Sequence, residues 1–161
     1  MFIQIFTTGG TIDKVYFDQL SEFQVGDPMI SEVLEEAHVS FGYAVESILQ
    51  KDSLDLVEED RHLLLDRVRN SPHRLMVVTH GTDTMIETAK ILAAAKGKVI
   101  VLTGSMAPAR FRNTDAIFNI GCAVAAVQAL PEGVYLAMNG RIFHPERVRK
   151  NREKMQFEEV S

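Results

Sequence analysis

Three short turns in this chain place glycine beside a hydroxyl side chain: Gly10-Thr11, Gly81-Thr82 and Gly104-Ser105. Glycine lets a backbone come close to a ligand and frees amide groups to point at it, and a hydroxyl adds a short donor, acceptor or nucleophile. Taken singly, each turn reads as well as a helix cap or a plain reversal. Together, at the ends of consecutive apolar runs, they predict one polar, glycine-lined site. A threonine hydroxyl is a weak nucleophile until a base takes its proton. Asp83 follows Thr82 directly and could orient an activating amine. Lys150 is the available amine, flanked by Arg147, Arg149 and Arg152; an amine becomes a usable base when it is buried or close to other positive charge. The bland alternative is that Lys150 belongs to a solvated basic segment from Arg141 to Lys154.

Other chemistries fit less well. Gly9-Gly10-Thr11-Ile12 lacks the third glycine of a dinucleotide fingerprint, and no glycine loop ends in a phosphate-binding lysine. The histidines at 38, 62, 73, 80 and 144 lack the paired spacing of a zinc site, so neither metal nor other cofactor is expected. No serine sits in a Gly-x-Ser-x-Gly elbow. His80 is expected to bond within its own turn, and Cys122 to act as a small hydrophobe in an Ala-Val-rich helix.

The elements that must hold these residues can be read from the apolar pattern. Ile3–Phe6, Leu75–Val78, Val99–Leu102 and Gly133–Met138 are continuous apolar runs, as expected of strands covered on both faces of a parallel sheet. Ser40–Leu49 is a further candidate strand. Helices are predicted from Asp27-Pro28 to about Ala37, over Val57–Asn70, over Met85–Ala95 before Gly97, and from about Asp115 to Leu130. This alternation predicts an α/β fold wound around a mostly parallel sheet, with ligands bound beyond the carboxyl ends of its strands.

Length and composition agree. The 161 residues match about one domain of roughly 150, with no linker inside them. Hydrophobic residues at 46% and charged residues at 24% exclude a disordered or low-complexity chain. A net charge of −5 argues against a nucleic-acid binder or a surface built for anionic membranes. No run approaches the roughly 18 apolar residues of a membrane span, and the opening Met1–Phe6 reads as a strand, not a signal peptide. The single cysteine fits a reducing compartment, so a cytoplasmic location is expected.

The turns and their order resemble the N-terminal domain of the bacterial-type L-asparaginases. The likeness rests on Thr8-Gly9-Gly10-Thr11-Ile12, on Thr79-His80-Gly81-Thr82-Asp83-Thr84-Met85, on Leu102 to Pro108, and on Gly133 to Met138 followed by Val148-Arg149-Lys150-Asn151. It implies a three-layer α/β sandwich that hydrolyses L-asparagine, and in some members glutamine, through a threonine acyl-enzyme without a cofactor. It implies a homo-oligomer as well. Thr11 matches the attacking threonine; Thr82, Asp83 and Lys150 match a second hydroxyl–carboxylate–amine set across the substrate. Ser53, in Asp52-Ser53-Leu54-Asp55, resembles the loop that holds the substrate α-carboxylate, with Gly10, Gly81 and Ser105 completing the expected binding set. Leu54 stands where members often have glutamine. Tyr16 is the available match for the tyrosine that assists the first threonine, because Phe23 occupies a position where longer homologues can carry it. The family's usual C-terminal domain, and the acid it contributes towards the substrate amine, are expected to be absent from residues 1–161; Glu158 and Glu159 are the conceivable replacements. Two further readings stay open: a module that binds an amino acid without turning it over, or a truncated fragment whose site is incomplete, and an amidase for another small carboxamide.

Overall fold

The computed structural model describes residues 1–161. Six strands form the central sheet in the order β4-β1-β5-β6-β7-β8. They are β1 (Phe2–Gly9), β4 (Gly42–Lys51), β5 (Leu75–Thr79), β6 (Val99–Thr103), β7 (Gly133–Met138) and β8 (Arg141–Phe143); only β8 runs antiparallel to its neighbour. The apolar runs form its middle because both faces are covered. Helices α2 (Glu58–Asn70) and α3 (Met85–Leu92) pack Leu64, Leu65, Val68, Met85 and Leu92 against Phe6, Val78 and Leu102 on one face. Helices α1 (Ile30–Glu36) and α4 (Ala116–Ala129) pack Ile30, Leu34, Ile120 and Val127 against Ile5, Val77 and Val101 on the other. Two cores of similar size on opposite faces make this a three-layer α/β sandwich, as expected.

Two small hairpins flank the sheet: β2 (Lys14–Phe17) with β3 (Glu22–Val25), and β9 (Val148–Asn151) with β10 (Gln156–Glu159). Neither shows as an apolar run. The first carries Tyr16, Phe17 and Phe23 largely exposed, so it has no core face to leave a pattern.

Two helix ends differ from expectation. Asp27 does not cap α1, which begins three residues later at Ile30. The amide of Met29 is instead capped by the Asp13 carboxylate at 3.0 Å, from far upstream, while the Asp27 side chain accepts from Gln50. At the other boundary α3 stops at Leu92, because the amides of Ala93, Ala94 and Ala95 bond three residues back and tighten the chain into turns. Gly97 then takes the left-handed conformation, φ +76°.

Candidate functional site

Parallel register sets the carboxyl ends of three adjacent strands level, with Thr7 beside Thr79 and Thr79 beside Thr103. The three glycine turns leave from there and are packed on one another. A Cβ on Gly10, where φ is +90°, would overlap the backbone of Gly81; one on Gly81 would come within 2.6 Å of the Ser53 Cβ; one on Gly104 would overlap the His80 carbonyl. Glycine is needed here for contact between loops. A Gly10→Ala variant is therefore expected to lose about 3 kcal/mol or more of stability, from overpacking and a strained backbone together. Chemical denaturation measures this, and a loss within about 0.5 kcal/mol would contradict it.

The turn after β5 is held from beneath. His80 is fully buried; its Nδ1 donates to the Gly81 carbonyl at 2.7 Å, and its Nε2 accepts from the Thr88 hydroxyl at 2.8 Å. That hydroxyl accepts from Arg61 Nε at 3.0 Å. Burial pushes the His80 pKa down to about 4, with Arg61 adding to the effect and the Gly81 bond opposing it. The imidazole is thus a neutral strut, bonded within its turn as expected. The neighbouring loop is tied by Asp115, which accepts from the Met106 and Ala107 amides, and by Asn119 Nδ2, which donates to the Gly104 carbonyl at 2.9 Å.

Above these turns lies a cleft of about 260 Å³ lined by Thr11, Thr82, Asp83, Lys150 and Arg152. Met106 and Met155 supply its apolar part. The Lys150 ammonium donates to Thr82 Oγ1 at 2.7 Å and to Asp83 Oδ1 at 2.9 Å. Arg152 meets the same Asp83 oxygen at 3.0 Å. Lys150 is therefore no member of a solvated basic face: strand alternation turns it inward, while its neighbour Arg149 turns out to an ion pair with Glu158 at 2.7 Å. The side chain of Lys150 is only 15% exposed, against 68% for Arg149.

The remaining expected residues fall in different places. Ser53 is buried beneath Gly81, and its carbonyl accepts from the Thr84 hydroxyl at 2.8 Å. The Ser105 hydroxyl is spent inside its loop on the Ala107 carbonyl at 2.5 Å. Tyr16 is half exposed on β2, packed on Phe23 with ring centroids 5.3 Å apart, and does not line the cleft. Glu158 and Glu159 face Arg149 and Arg141 and do not line the cleft either. Leu54 is 64% exposed, beside the Asp52–Lys14 ion pair. Burial alone would raise the Asp52 pKa, but the hydrogen bond from Lys14 and the Leu54 amide bring it below its usual value. No three His, Cys, Asp or Glu side chains gather in a way that would hold a metal ion.

Met106, Met155 and the Arg152–Asp83 contact were not legible in the sequence, since each depends on which loops meet above the sheet. The buried carboxylate of Asp13, two residues after Thr11, also gave no sequence signal. Its Oδ1 caps α1, its Oδ2 is buried without a partner, and burial pushes its pKa up to about 6 against the pull of the Met29 amide and Arg110.

Comparison with known proteins places this geometry. The chain is 31% identical over 157 residues to L-asparaginase 2 of Bacillus subtilis, covering 87% of this chain and 41% of that protein. It is 39% identical over 105 residues to the glutaminase-asparaginase of Acinetobacter glutaminasificans, covering 62% of this chain and 30% of that one. Among solved structures, the thermostable L-asparaginase from Thermococcus kodakarensis superposes on 99% of this chain and 51% of its own, with a TM-score of 0.85 and 25% identity. The chain thus spans less than half the length of these curated relatives and about half of that solved chain. No helix is long and apolar enough to cross a membrane. With a family model described as asparaginase, N-terminal, matching residues 2–157, the chain belongs to the asparaginase family.

Proposed function

We propose that residues 1–161 form a single asparaginase-type domain that hydrolyses L-asparagine, and glutamine as a second substrate, to the acid and ammonia. The observation that carries this reading is the Lys150 ammonium seated on Thr82 and Asp83 in the same cleft as Thr11. Thr11 Oγ attacks the carboxamide carbon, and its proton leaves through the polar groups of the cleft. Negative charge develops on the carbonyl oxygen and is taken up by backbone amides of the Gly81–Thr82 and Gly104–Ser105 turns; one such donor is worth about 3–4 kcal/mol of barrier. The C–N bond breaks as the nitrogen takes a proton by way of the Lys150–Thr82 pair, and ammonia departs. Water then cleaves the Thr11 ester and releases the carboxylate.

Asp83 holds Lys150 and is itself held by Arg152. Gly10, Gly81 and Ser105 shape the turns, and Ser53 supports Gly81 from below. Tyr16, the proposed assistant to Thr11, lines neither of the cavities that hold Thr11. A homo-oligomer is supported by α4, which carries no charged residue and leaves Ile117 and Phe118 more than half exposed. A cytoplasmic location is supported by the lone Cys122. No metal, cofactor, nucleic acid or membrane enters the scheme.

One observation favours a second reading. Phe23, which has no hydroxyl, is the hairpin aromatic that shares a cavity with Thr11, as suits a module that binds an amide without turning it over. Ammonia release from asparagine, glutamine and other small amides, run beside Thr11→Ala, separates the two. Turnover lost in the variant is the expected result; ligand-induced stabilisation with no ammonia released would favour the binding module.

A further inference from the structure

Thr11 belongs to two cavities that share no other residue. One is the polar cleft of Lys150. The second, of about 200 Å³, is walled by Phe23, Phe111, Pro108 and Lys14. The two phenylalanines come from separate segments, the β2–β3 hairpin and the loop before α4, and meet edge to face at 5.7 Å. Each is left nearly half exposed, at 48% and 45%. The ammonium of Lys14 is drawn off to Asp52 at 2.8 Å, and Asp52 does not line this cavity. What remains beside the hydroxyl is an apolar, aromatic cradle. A cavity of roughly 150 Å³ with apolar walls is large enough for a benzene ring.

The two cavities divide the parts of an amide between them. The departing nitrogen needs a proton, and the charged N–H groups of Lys150 and Arg152 both line the polar cleft. With its nitrogen turned there and its carbonyl carbon on Thr11, a substrate has its acyl group at the mouth of the aromatic cradle. We propose that the Phe23–Phe111 cavity is an acyl-side subsite, so that the enzyme also hydrolyses small primary carboxamides whose acyl group is an aromatic or branched hydrocarbon. This rests on the amidohydrolase reading above. The step is the same: the Thr11 Oγ–carbon bond forms, the C–N bond breaks, ammonia leaves with its proton, and water releases an apolar carboxylic acid.

The experiment compares phenylacetamide, acetamide and asparagine as substrates for the chain and for Phe111→Ser, a nearly half-exposed position outside both buried cores. Phenylacetamide is expected to exceed acetamide in kcat/KM by about tenfold or more, and Phe111→Ser to remove most of that preference. Asparagine turned over while phenylacetamide does no better than acetamide overturns the subsite and leaves the asparaginase reading standing. If no amide is turned over, that reading fails, and saturation-transfer NMR of phenylacetamide decides the subsite alone. Transfer to its ring that disappears in Phe111→Ser supports the cradle; no transfer, or equal transfer in both proteins, overturns it.

Discussion

A Lys150→Met variant is expected to release ammonia from asparagine about 10³–10⁴ times more slowly than the parent chain while keeping its fold. The size follows from removing proton transfer at a positioned group, which typically contributes 10²–10⁴-fold, and from leaving Thr82 with the Met106 sulfur as its hydroxyl partner. The fold should survive because Asp83 keeps its second partner: the Arg152 guanidinium stays at 3.0 Å and the carboxylate is not left bare. Methionine fills a similar volume beside Met106 and Met155 in the cleft wall. Thr11→Ala should lose at least as much. The combination should lose little more than either variant alone, because groups serving one chemical event are not additive. Ammonia release and a denaturation midpoint on all three variants check this together. A Lys150→Met chain with near-parental turnover would take the lysine out of the reaction, and losses that multiply in the double variant would mean two independent tasks.

The same lysine shows where the sequence was legible and where it was not. Strands β1, β5, β6 and β7 could be read directly, because burial on both faces forces uninterrupted apolar residues and each run leads into a turn that contains glycine. Thr11, Thr82 and Asp83 sit next to those runs, so their meeting at one sheet edge followed from topology. Lys150 has no such neighbour. It lies among five other basic residues in Arg141–Lys154, and which of them turns inward depends on the β9–β10 pairing of Phe157 opposite Lys150. Spacing alone does not distinguish it from its solvated neighbours; the resemblance of Val148-Arg149-Lys150-Asn151 to the family's lysine segment does. The misplaced start of α1 has a similar cause: Asp27-Pro28 is a good local start signal, but the cap comes from Asp13, which no local window connects to Met29. The β2–β3 hairpin went unread because its aromatic residues face outward, and that exposure is what makes the Phe23–Phe111 cradle available to a ligand.

Asp13→Asn is expected to expose a pH dependence that the parent chain conceals. In the folded protein the Asp13 carboxyl is pushed up to about 6 from its ordinary 3.8, because one oxygen is buried without a partner. The fold therefore prefers it protonated. Its contribution to stability is complete below about pH 4 and is lost as pH rises through 6. His80 behaves in the opposite sense. Burial pushes it down to about 4 from 6.5, so the fold prefers the neutral ring, and its contribution is present above pH 6.5 and lost as pH falls towards 4. At one pKa unit per 1.4 kcal/mol, each group shifts stability by about 3 kcal/mol across nearly the same interval and with opposite sign. Between pH 4 and 6 the folded chain holds a proton on Asp13 that the unfolded chain lacks, and the unfolded chain holds one on His80 that the folded chain lacks. The two slopes cancel. With asparagine at 13 the Oδ1 cap on Met29 is kept and the falling limb removed, leaving His80 to destabilise the fold on acidification. Unfolding free energies of parent and variant, measured by denaturant at half-unit steps from pH 4 to 7, should differ by an amount that changes by about 3 kcal/mol between pH 4 and 6 and is constant above. A difference independent of pH would mean that Asp13 is already ionised in the folded state and that the charge on its buried oxygen is compensated.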